Sequence, residues 1–185
     1  MTKSTDVLNE ASKRLLEAAF GTRWGEAWVC WSGSSEGWTG KWVKDLEPGD
    51  LPDDRDCYFC PSLLKASRRT NDMVERVMVM VIDDVGTKID REEFEMFAPE
   101  ASYWIESSPG NFQVGYFIKG GMTVEAYRKL RARMKANPIW GKADGIDPVH
   151  LFRLPQGINT KASAGGWKWI SFPRPSKCRR RSRGP

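Results

Sequence analysis

The sequence predicts a mixed α/β (α+β) domain, because segments typical of strands occur between segments with helical spacing. Six consecutive apolar residues, 77–82, precede two aspartates, which indicates a strand buried on both faces. Residues 103–118 have the pattern of a strand, a tight turn and a second strand. Apolar residues at helical spacing over 5–20 and 123–135 predict two helices. The 185 residues suffice for one domain with a proper core.

The N-terminal part of the chain predicts one helix followed by a tryptophan-rich hairpin. Thr5 or Asp6 would cap the helix, and Gly21 would end it. Residues 24–42 hold five of the nine tryptophans around a Gly/Ser turn, which is typical of a hairpin. These tryptophans either brace the core and the sheet, which is the commoner role, or stack nucleobases. A short strand is expected at Tyr58.

Asp83 and Asp84 follow the buried strand directly and precede Gly86. Because side chains alternate along a strand, we expect the two aspartates on opposite faces, with one carboxylate in a cleft. A carboxylate at the end of a rigid strand is a suitable ligand for a hard cation such as Mg²⁺. The alternative is that both residues only end the strand and cap a turn.

The turn of the next hairpin, residues 107–111, has the sequence Ser-Ser-Pro-Gly-Asn, and Gln113 follows on the return strand. Ser, Pro, Gly and Asn are strong turn residues. Hydroxyl groups together with exposed backbone N–H groups suit a triphosphate. A hairpin without a ligand has the same pattern, so both interpretations stand.

Two further helices are expected around these strands. Residues 90–97 predict a short acidic helix. Thr123 would cap the helix over 123–135, and Pro138 lies just beyond its end. The outer face of this second helix is suited either to a phosphate backbone or simply to water, and its basic residues are Arg128, Lys129, Arg131, Arg133 and Lys135.

Residues 144–161 form a third segment with side chains for metal and phosphate binding. Asp144 or Asp147 would complete a metal site with the aspartate pair at 83–84.

Phosphate-type contacts in this segment would come from Arg153, which is followed by a predicted Pro/Gly turn, and from Lys161. His150, the single histidine of the chain, is expected to be structural or adjacent to substrate.

The C-terminus carries a dense run of positive charge. Residues 173–185 contain six basic residues and no acid, which exceeds the net charge of +5. Such a run is typical of a flexible arm that binds nucleic acid, and a solvated tail without a partner is the alternative. No segment reaches the ~18–20 apolar residues of a membrane span. The N-terminus lacks the apolar core of a secretory signal, so we expect a cytoplasmic protein.

The three segments together resemble the catalytic core of the archaeo-eukaryotic primase (primase–polymerase) superfamily, and most closely the RepB-like primases of plasmids and phages. The motif order is Asp-Asp-x-Gly, then Ser-Ser-Pro-Gly-Asn-x-Gln, then Asp-x5-Arg-Leu-Pro-x-Gly-x-Asn-x-Lys. The resemblance spans residues 24–172. It implies a two-lobed α/β domain at 1–172, with a sheet related to the RNA-recognition-motif fold, followed by a basic flexible tail at 173–185.

The resemblance also implies a template-directed, divalent-metal-dependent nucleotidyltransferase of a plasmid or phage replication system. Its expected cofactor is Mg²⁺ or Mn²⁺, and its expected partners are a single-stranded DNA template, nucleoside triphosphates and a replicative helicase in trans. The family motifs place catalytic and metal-binding carboxylates at Asp83, Asp84 and Asp147. They place nucleotide-binding residues at Ser107, Ser108, Asn111, Gln113, Arg153, Asn159 and Lys161. Template contacts are expected from Arg128, Arg131, Lys177, Arg179, Arg180 and Arg181.

Two positions depart from the family pattern. The first motif usually reads Asp-x-Asp, whereas Asp83 and Asp84 are adjacent, and Gln113 stands where many relatives have histidine. An alternative function is therefore a catalytically degenerate module that binds single-stranded DNA or an origin without metal. A nuclease using the same carboxylates is a third interpretation, and the triphosphate-binding pattern of residues 153–161 argues against it.

Overall fold

The computed structural model describes residues 7–33, 37–143, 147–161, 165, 167–168 and 170–172. Several predicted features lie outside these residues: the helix caps Thr5 and Asp6, the metal-ligand candidate Asp144, and the tail 173–185 with its expected DNA contacts Lys177, Arg179, Arg180 and Arg181. Within the described residues, no helix is long and apolar enough to cross a membrane.

The described part of the chain contains three α-helices and ten β-strands. The helices are α1 (Glu10–Phe20), α2 (Arg91–Phe97) and α3 (Val124–Lys135). The strands are β1 (Trp28–Ser32), β2 (Trp38–Trp42), β3 (Asp56–Phe59), β4 (Ser62–Leu64), β5 (Val74–Val85), β6 (Tyr103–Ser108), β7 (Asn111–Met122), β8 (Phe152–Asn159), β9 (Trp167–Lys168) and β10 (Ile170–Phe172).

The strands form two antiparallel five-stranded sheets, which confirms the predicted mixed fold class. The first sheet has the order β2-β1-β3-β8-β9, and the second has the order β10-β6-β7-β5-β4. All strand pairs within the two sheets are antiparallel. The tryptophan-rich hairpin (β1–β2), the short strand at Tyr58 (β3) and the hairpin β6–β7 are therefore confirmed.

Strand β5 is buried on both faces, as its unbroken apolar run predicts. Val79 and Val81 belong to the core that packs the second sheet against the first sheet and α1. Val77 and Ile82 belong to a second core, which also contains Phe94 of α2. The last residues of β5, which carry the two aspartates, therefore lie on a rigid central strand.

Helix α1 begins later than the sequence predicts, at Glu10, and its cap is Asn9 rather than Thr5 or Asp6. The Asn9 side chain accepts a hydrogen bond from Ser12 N at 2.8 Å, which satisfies one free N–H of the first turn. Its Nδ2 atom also donates to the carbonyl of Pro155 in β8 at 2.6 Å. Gly21 ends the helix, as expected.

The Pro/Gly turn predicted after Arg153 is wrong, because these residues continue β8. Pairing with β3 is irregular here, and Gly157 has a φ of +79°. A Cβ atom at Gly157 would clash with the carbonyl oxygen of Arg55. The strand therefore absorbs its irregularity as a bulge at glycine and does not reverse direction.

Replacing Asn9 by alanine should lower the free energy of unfolding by ~1–2 kcal/mol, because both the helix cap and the bond to β8 are lost. Asn9→Ser keeps a side-chain oxygen that can accept from Ser12 N but removes the Nδ2 donor to Pro155, so its loss should be smaller. Urea unfolding of the three proteins measures both effects. Equal losses in the two variants would show that the cap contributes nothing.

Candidate active site

A polar cavity of about 360 Å³ lies where the ends of β5, β6 and β7 meet strands β3 and β8 of the other sheet. This volume is within the usual range of small-molecule sites. Ten of the residues that the sequence analysis assigns to metal or nucleotide lie in the described part of the chain, and the cavity brings nine of them together. Its lining is Tyr58, Asp83, Asp84, Ser107, Ser108, Asn111, Gln113, His150, Leu151, Arg153, Asn159 and Lys161.

Both adjacent aspartates line the cavity, so the expectation that they point to opposite faces is wrong. Ile82 pairs with Val114, whereas Val85 pairs with Phe112, so β5 has one more residue than β7 in this interval. Asp84 adopts a left-handed backbone conformation with φ 63°. A bulge with one left-handed residue interrupts strict alternation. This bulge explains why both aspartates line one cavity.

Asp83 is half-buried, and each of its carboxylate oxygens accepts one hydrogen bond. Oδ1 accepts from the backbone N–H of Asp84 at 2.8 Å, and Oδ2 accepts from Nε2 of Gln113 at 3.2 Å. Desolvation by the surrounding protein raises the pKa of Asp83, and the hydrogen bonds only partly oppose this rise. The site therefore holds a carboxylate whose negative charge is incompletely compensated, and a cation would stabilise it.

Asp84 is held by side chains from its own turn and from β7. Its Oδ1 accepts from Nδ2 of Asn111 at 3.3 Å, and its Oδ2 pairs with Nζ of Lys88 at 2.9 Å. The turn after β5 packs closely on the β6–β7 turn, since a Cβ atom at Gly86 would clash with the carbonyl oxygen of Gly110. These contacts fix the two turns that carry the acidic and hydroxyl groups.

Gln113 connects the two sheets through its side-chain amide. Its Nε2 donates to Asp83 within the second sheet, and its Oε1 accepts from the backbone N–H of Arg153 in the first sheet at 3.0 Å. Gln113 is buried. Because the Arg153 N–H requires an acceptor, the amide must present its N–H group to Asp83. The residue therefore orients the carboxylate.

Arg153 is also buried, and its guanidinium contacts three side chains of the first sheet. It forms an ion pair with Asp56, and its Nη2 donates to Oδ1 of Asn159 at 2.9 Å. Its Cζ atom lies 4.6 Å from the centre of the Tyr58 ring. Asn159 in turn donates to the carbonyl of Ser107 in β6 at 2.8 Å, which gives a second link between the sheets.

Structural comparison finds this fold in known proteins. The AEP domain of the cyanophage S-2L primase–polymerase (PrimPol) matches with a TM-score of 0.68 and 12% sequence identity, over 90% of this chain and 90% of its own. The chain has the primase–polymerase fold. The catalytic domain of primase RepB′ in complex with initiator DNA matches with a TM-score of 0.56 and 16% identity, over 88% of this chain and 84% of its own.

A further structure of primase RepB′ matches with a TM-score of 0.53 and 20% identity, over 91% of this chain and 56% of its own. No family model and no curated protein matches the sequence. The resemblance that the three sequence motifs indicate is thus confirmed for the primase–polymerase fold.

Asp147 does not line the cavity, unlike the other predicted carboxylates in the described part of the chain. Its Oδ1 accepts from Val149 N at 3.1 Å, and its Oδ2 lies 3.3 Å from Nη1 of Arg131. The metal-binding role assigned to Asp147 therefore stays a prediction without support from the cavity. Arg131, expected to contact the template, is engaged in this ion pair, and Arg128 is exposed on α3.

Sequence reasoning missed Asp56 and Tyr58 as parts of the site. Asp56 starts β3, two residues before Tyr58. Period-two alternation places the two side chains on one face, and that signal was available. Arg153, which contacts both side chains, is remote in sequence, however, so the local sequence could not predict these contacts.

The donor set of the cavity fits a divalent cation of the Mg²⁺ or Mn²⁺ type. Asp83 and Asp84 offer hard oxygen ligands in one cavity, and Mg²⁺ is usually bound by one or two carboxylates together with substrate phosphates and water. Among the described residues, no group of three His, Cys, Asp or Glu side chains forms a metal cluster. The two carboxylates would therefore need oxygen ligands from substrate or water.

Gln113→Leu should raise the pKa of Asp83 further, because it removes a hydrogen-bond donor to the charged form. Asp84→Asn should lower that pKa, because it removes a neighbouring negative charge and asparagine tolerates the left-handed backbone. Titration of the Asp83 carboxyl carbon by NMR measures both shifts. The exposed Glu100→Gln variant is the control and should leave the pKa unchanged.

The raised pKa has a consequence for stability. The protonated form of Asp83 is favoured in the folded chain, so its contribution to stability is fully present below the ordinary aspartate pKa of ~3.9. It is lost as the pH rises through the pKa of the folded state. A pKa for Asp83 below the ordinary value would contradict this account.

Proposed function

We propose that this chain is a template-directed nucleotidyltransferase of the primase–polymerase type, acting in replication of a plasmid or phage. The observation that carries the proposal is the convergence of Asp83 and Asp84 on one polar cavity, which also contains hydroxyl, amide and lysine groups. The fold shared with primase–polymerase domains supports it. A single-stranded DNA template and nucleoside triphosphates are the proposed partners, and a helicase in trans is the further expectation.

Asp83 and Asp84 would hold the divalent cation, which, when bound, supplies Lewis-acid activation of a hydroxyl and charge stabilisation on phosphate. Gln113 keeps the Asp83 carboxylate in a fixed orientation through its bond to Oδ2. Asn111 does the same for Asp84. A carboxylate pair oriented by buried hydrogen bonds is preorganised, so little reorganisation is needed when the cation binds.

Lys161 and Ser108 are proposed to bind the phosphates of the nucleotide. Lys161 lines the cavity and its side chain is exposed, so its ammonium group is accessible to an anion. Arg153 has a different position, since its guanidinium is buried against Asp56. Its positive charge is largely balanced there, and we assign it mainly to holding the cavity wall. The template would contact Arg128 and the basic tail.

Asp83→Asn and Asp84→Asn should each reduce primer synthesis on single-stranded DNA at least about a hundredfold, because each removes a cation ligand. The measurement is the yield of short labelled products with Mn²⁺ or Mg²⁺. Glu100→Gln removes an equal charge from an exposed position outside the cavity and is the matched control.

Full synthesis in both aspartate variants would contradict the proposed site. If the wild type makes no product but binds DNA without regard to metal, the degenerate binding module becomes the better description. A Mn²⁺ titration of wild type and Asp83→Asn, followed by electron paramagnetic resonance, separates these cases without relying on activity.

Lys161→Ala should raise the KM for nucleotide about tenfold, because it removes a charge-assisted hydrogen bond to phosphate. The kcat is expected to change less than the KM, since the carboxylates remain in place. Lys119→Ala is the control, since Lys119 is exposed and does not line this cavity. A fall in kcat with no change in KM would contradict a binding role for Lys161.

A further inference from the structure

One tryptophan of the β1–β2 hairpin is largely open to water. Trp38, the first residue of β2, is 58% exposed, whereas Trp31 of β1 is 7% exposed and lies in the core. Trp28 and Trp42 are half-buried and pack edge to face with ring centres 4.9 Å apart. Single exposed apolar side chains are common, so exposure alone does not indicate a function for Trp38. Its position relative to the cavity is the relevant observation.

Trp38 lies beside the cavity. Strand β1 pairs Ser32 with Trp38 and Cys30 with Tyr58, so Trp38 and Tyr58 share one face of the first sheet. Their ring centres are 5.3 Å apart, with an angle of 65° between the ring planes. Because Tyr58 lines the cavity, the exposed Trp38 ring packs against a residue of the cavity wall.

The groups along this wall change from charged to aromatic. Arg153 packs its guanidinium over the Tyr58 ring at 4.6 Å, and the exposed Trp38 contacts the same ring. Lys161 and the carboxylates lie in the cavity itself. A nucleotide has the same order of chemistry, with phosphates at one end and a flat apolar base at the other.

We propose that Trp38 is a stacking platform for a nucleobase at the mouth of the cavity. This inference rests on the proposed function, since it assumes that the phosphates attached to that base lie in or near the cavity. The base belongs either to the incoming nucleotide or to a single strand, and both present the same aromatic surface. Stacking on an aromatic side chain accepts any base, which suits an enzyme that copies a varied template.

Binding measurements with and without the base test the proposal. The dissociation constants of a deoxynucleoside triphosphate and inorganic triphosphate form one pair. Those of an oligothymidylate and a strand of abasic sugars of equal length form the other. Trp38→Ala should weaken binding of at least one base-containing ligand by roughly five- to a hundredfold and leave its base-free counterpart unchanged.

Two substitutions at the same position separate stacking from apolar bulk. Trp38→Phe keeps an aromatic ring and should retain most of the affinity, whereas Trp38→Leu should behave like Trp38→Ala. Phe97→Ala is the matched control, because Phe97 is 62% exposed and does not line the cavity. The midpoint of thermal unfolding of each variant should stay close to the wild-type value, since Trp38 is mostly outside the core.

The ligand pair that loses base-dependent affinity in Trp38→Ala identifies the source of the base. A loss for the deoxynucleoside triphosphate indicates the incoming nucleotide, whereas a loss for the oligothymidylate indicates a DNA strand. Equal losses for base-containing and base-free ligands, or no loss in either pair, would overturn the proposal. A base-dependent loss in a protein that makes no product would retain stacking while rejecting the proposed function. Product synthesis without any base-dependent loss would reject stacking alone.

Discussion

The side-chain amide of Gln113 is the contact on which the candidate site depends. One end of the amide orients Asp83 on the central strand of the second sheet, and the other end accepts the backbone N–H of Arg153 in the first sheet. The carboxylate and the opposite cavity wall are therefore fixed relative to each other by one buried residue. Because both ends of the amide bind the protein, the phosphate contacts of the proposed function would come from residues such as Lys161.

The electrostatics of the cavity oppose stability and favour ligand binding. Asp83 is desolvated, and in the described structure its hydrogen-bond donors are two neutral N–H groups. A charged carboxylate in that setting destabilises the fold relative to its protonated form. A bound cation would remove this penalty. Arg153 differs from Asp83, because its charge is balanced by the buried carboxylate of Asp56.

The sequence predicted most helices and strands, because the apolar run of β5, the turn between β6 and β7 and the cap of α3 leave local signals. The cap of α1 and the turn expected after Arg153 were predicted wrongly. The sequence also named most of the residues that line the cavity, because the resemblance to the primase–polymerase pattern groups three motifs that lie in two different sheets. The orientation of Asp84 was not predictable, since it depends on a bulge that exists only through pairing with β7. The ion pair between Asp147 and Arg131 likewise depends on tertiary packing. The motif pattern therefore could not predict that Asp147 pairs with Arg131 and does not line the cavity.

The connection between α1 and β8 bears on how the protein is made. Asn9 and Pro155 are far apart in sequence, yet the first helix is anchored on the strand that forms the last wall of the cavity. Contacts between distant segments form slowly and late. During translation at ~5–20 residues per second, the ribosome must release β8 before the first sheet closes. Helix α1 therefore lacks the hydrogen bond between Asn9 and Pro155 until β8 has been synthesised.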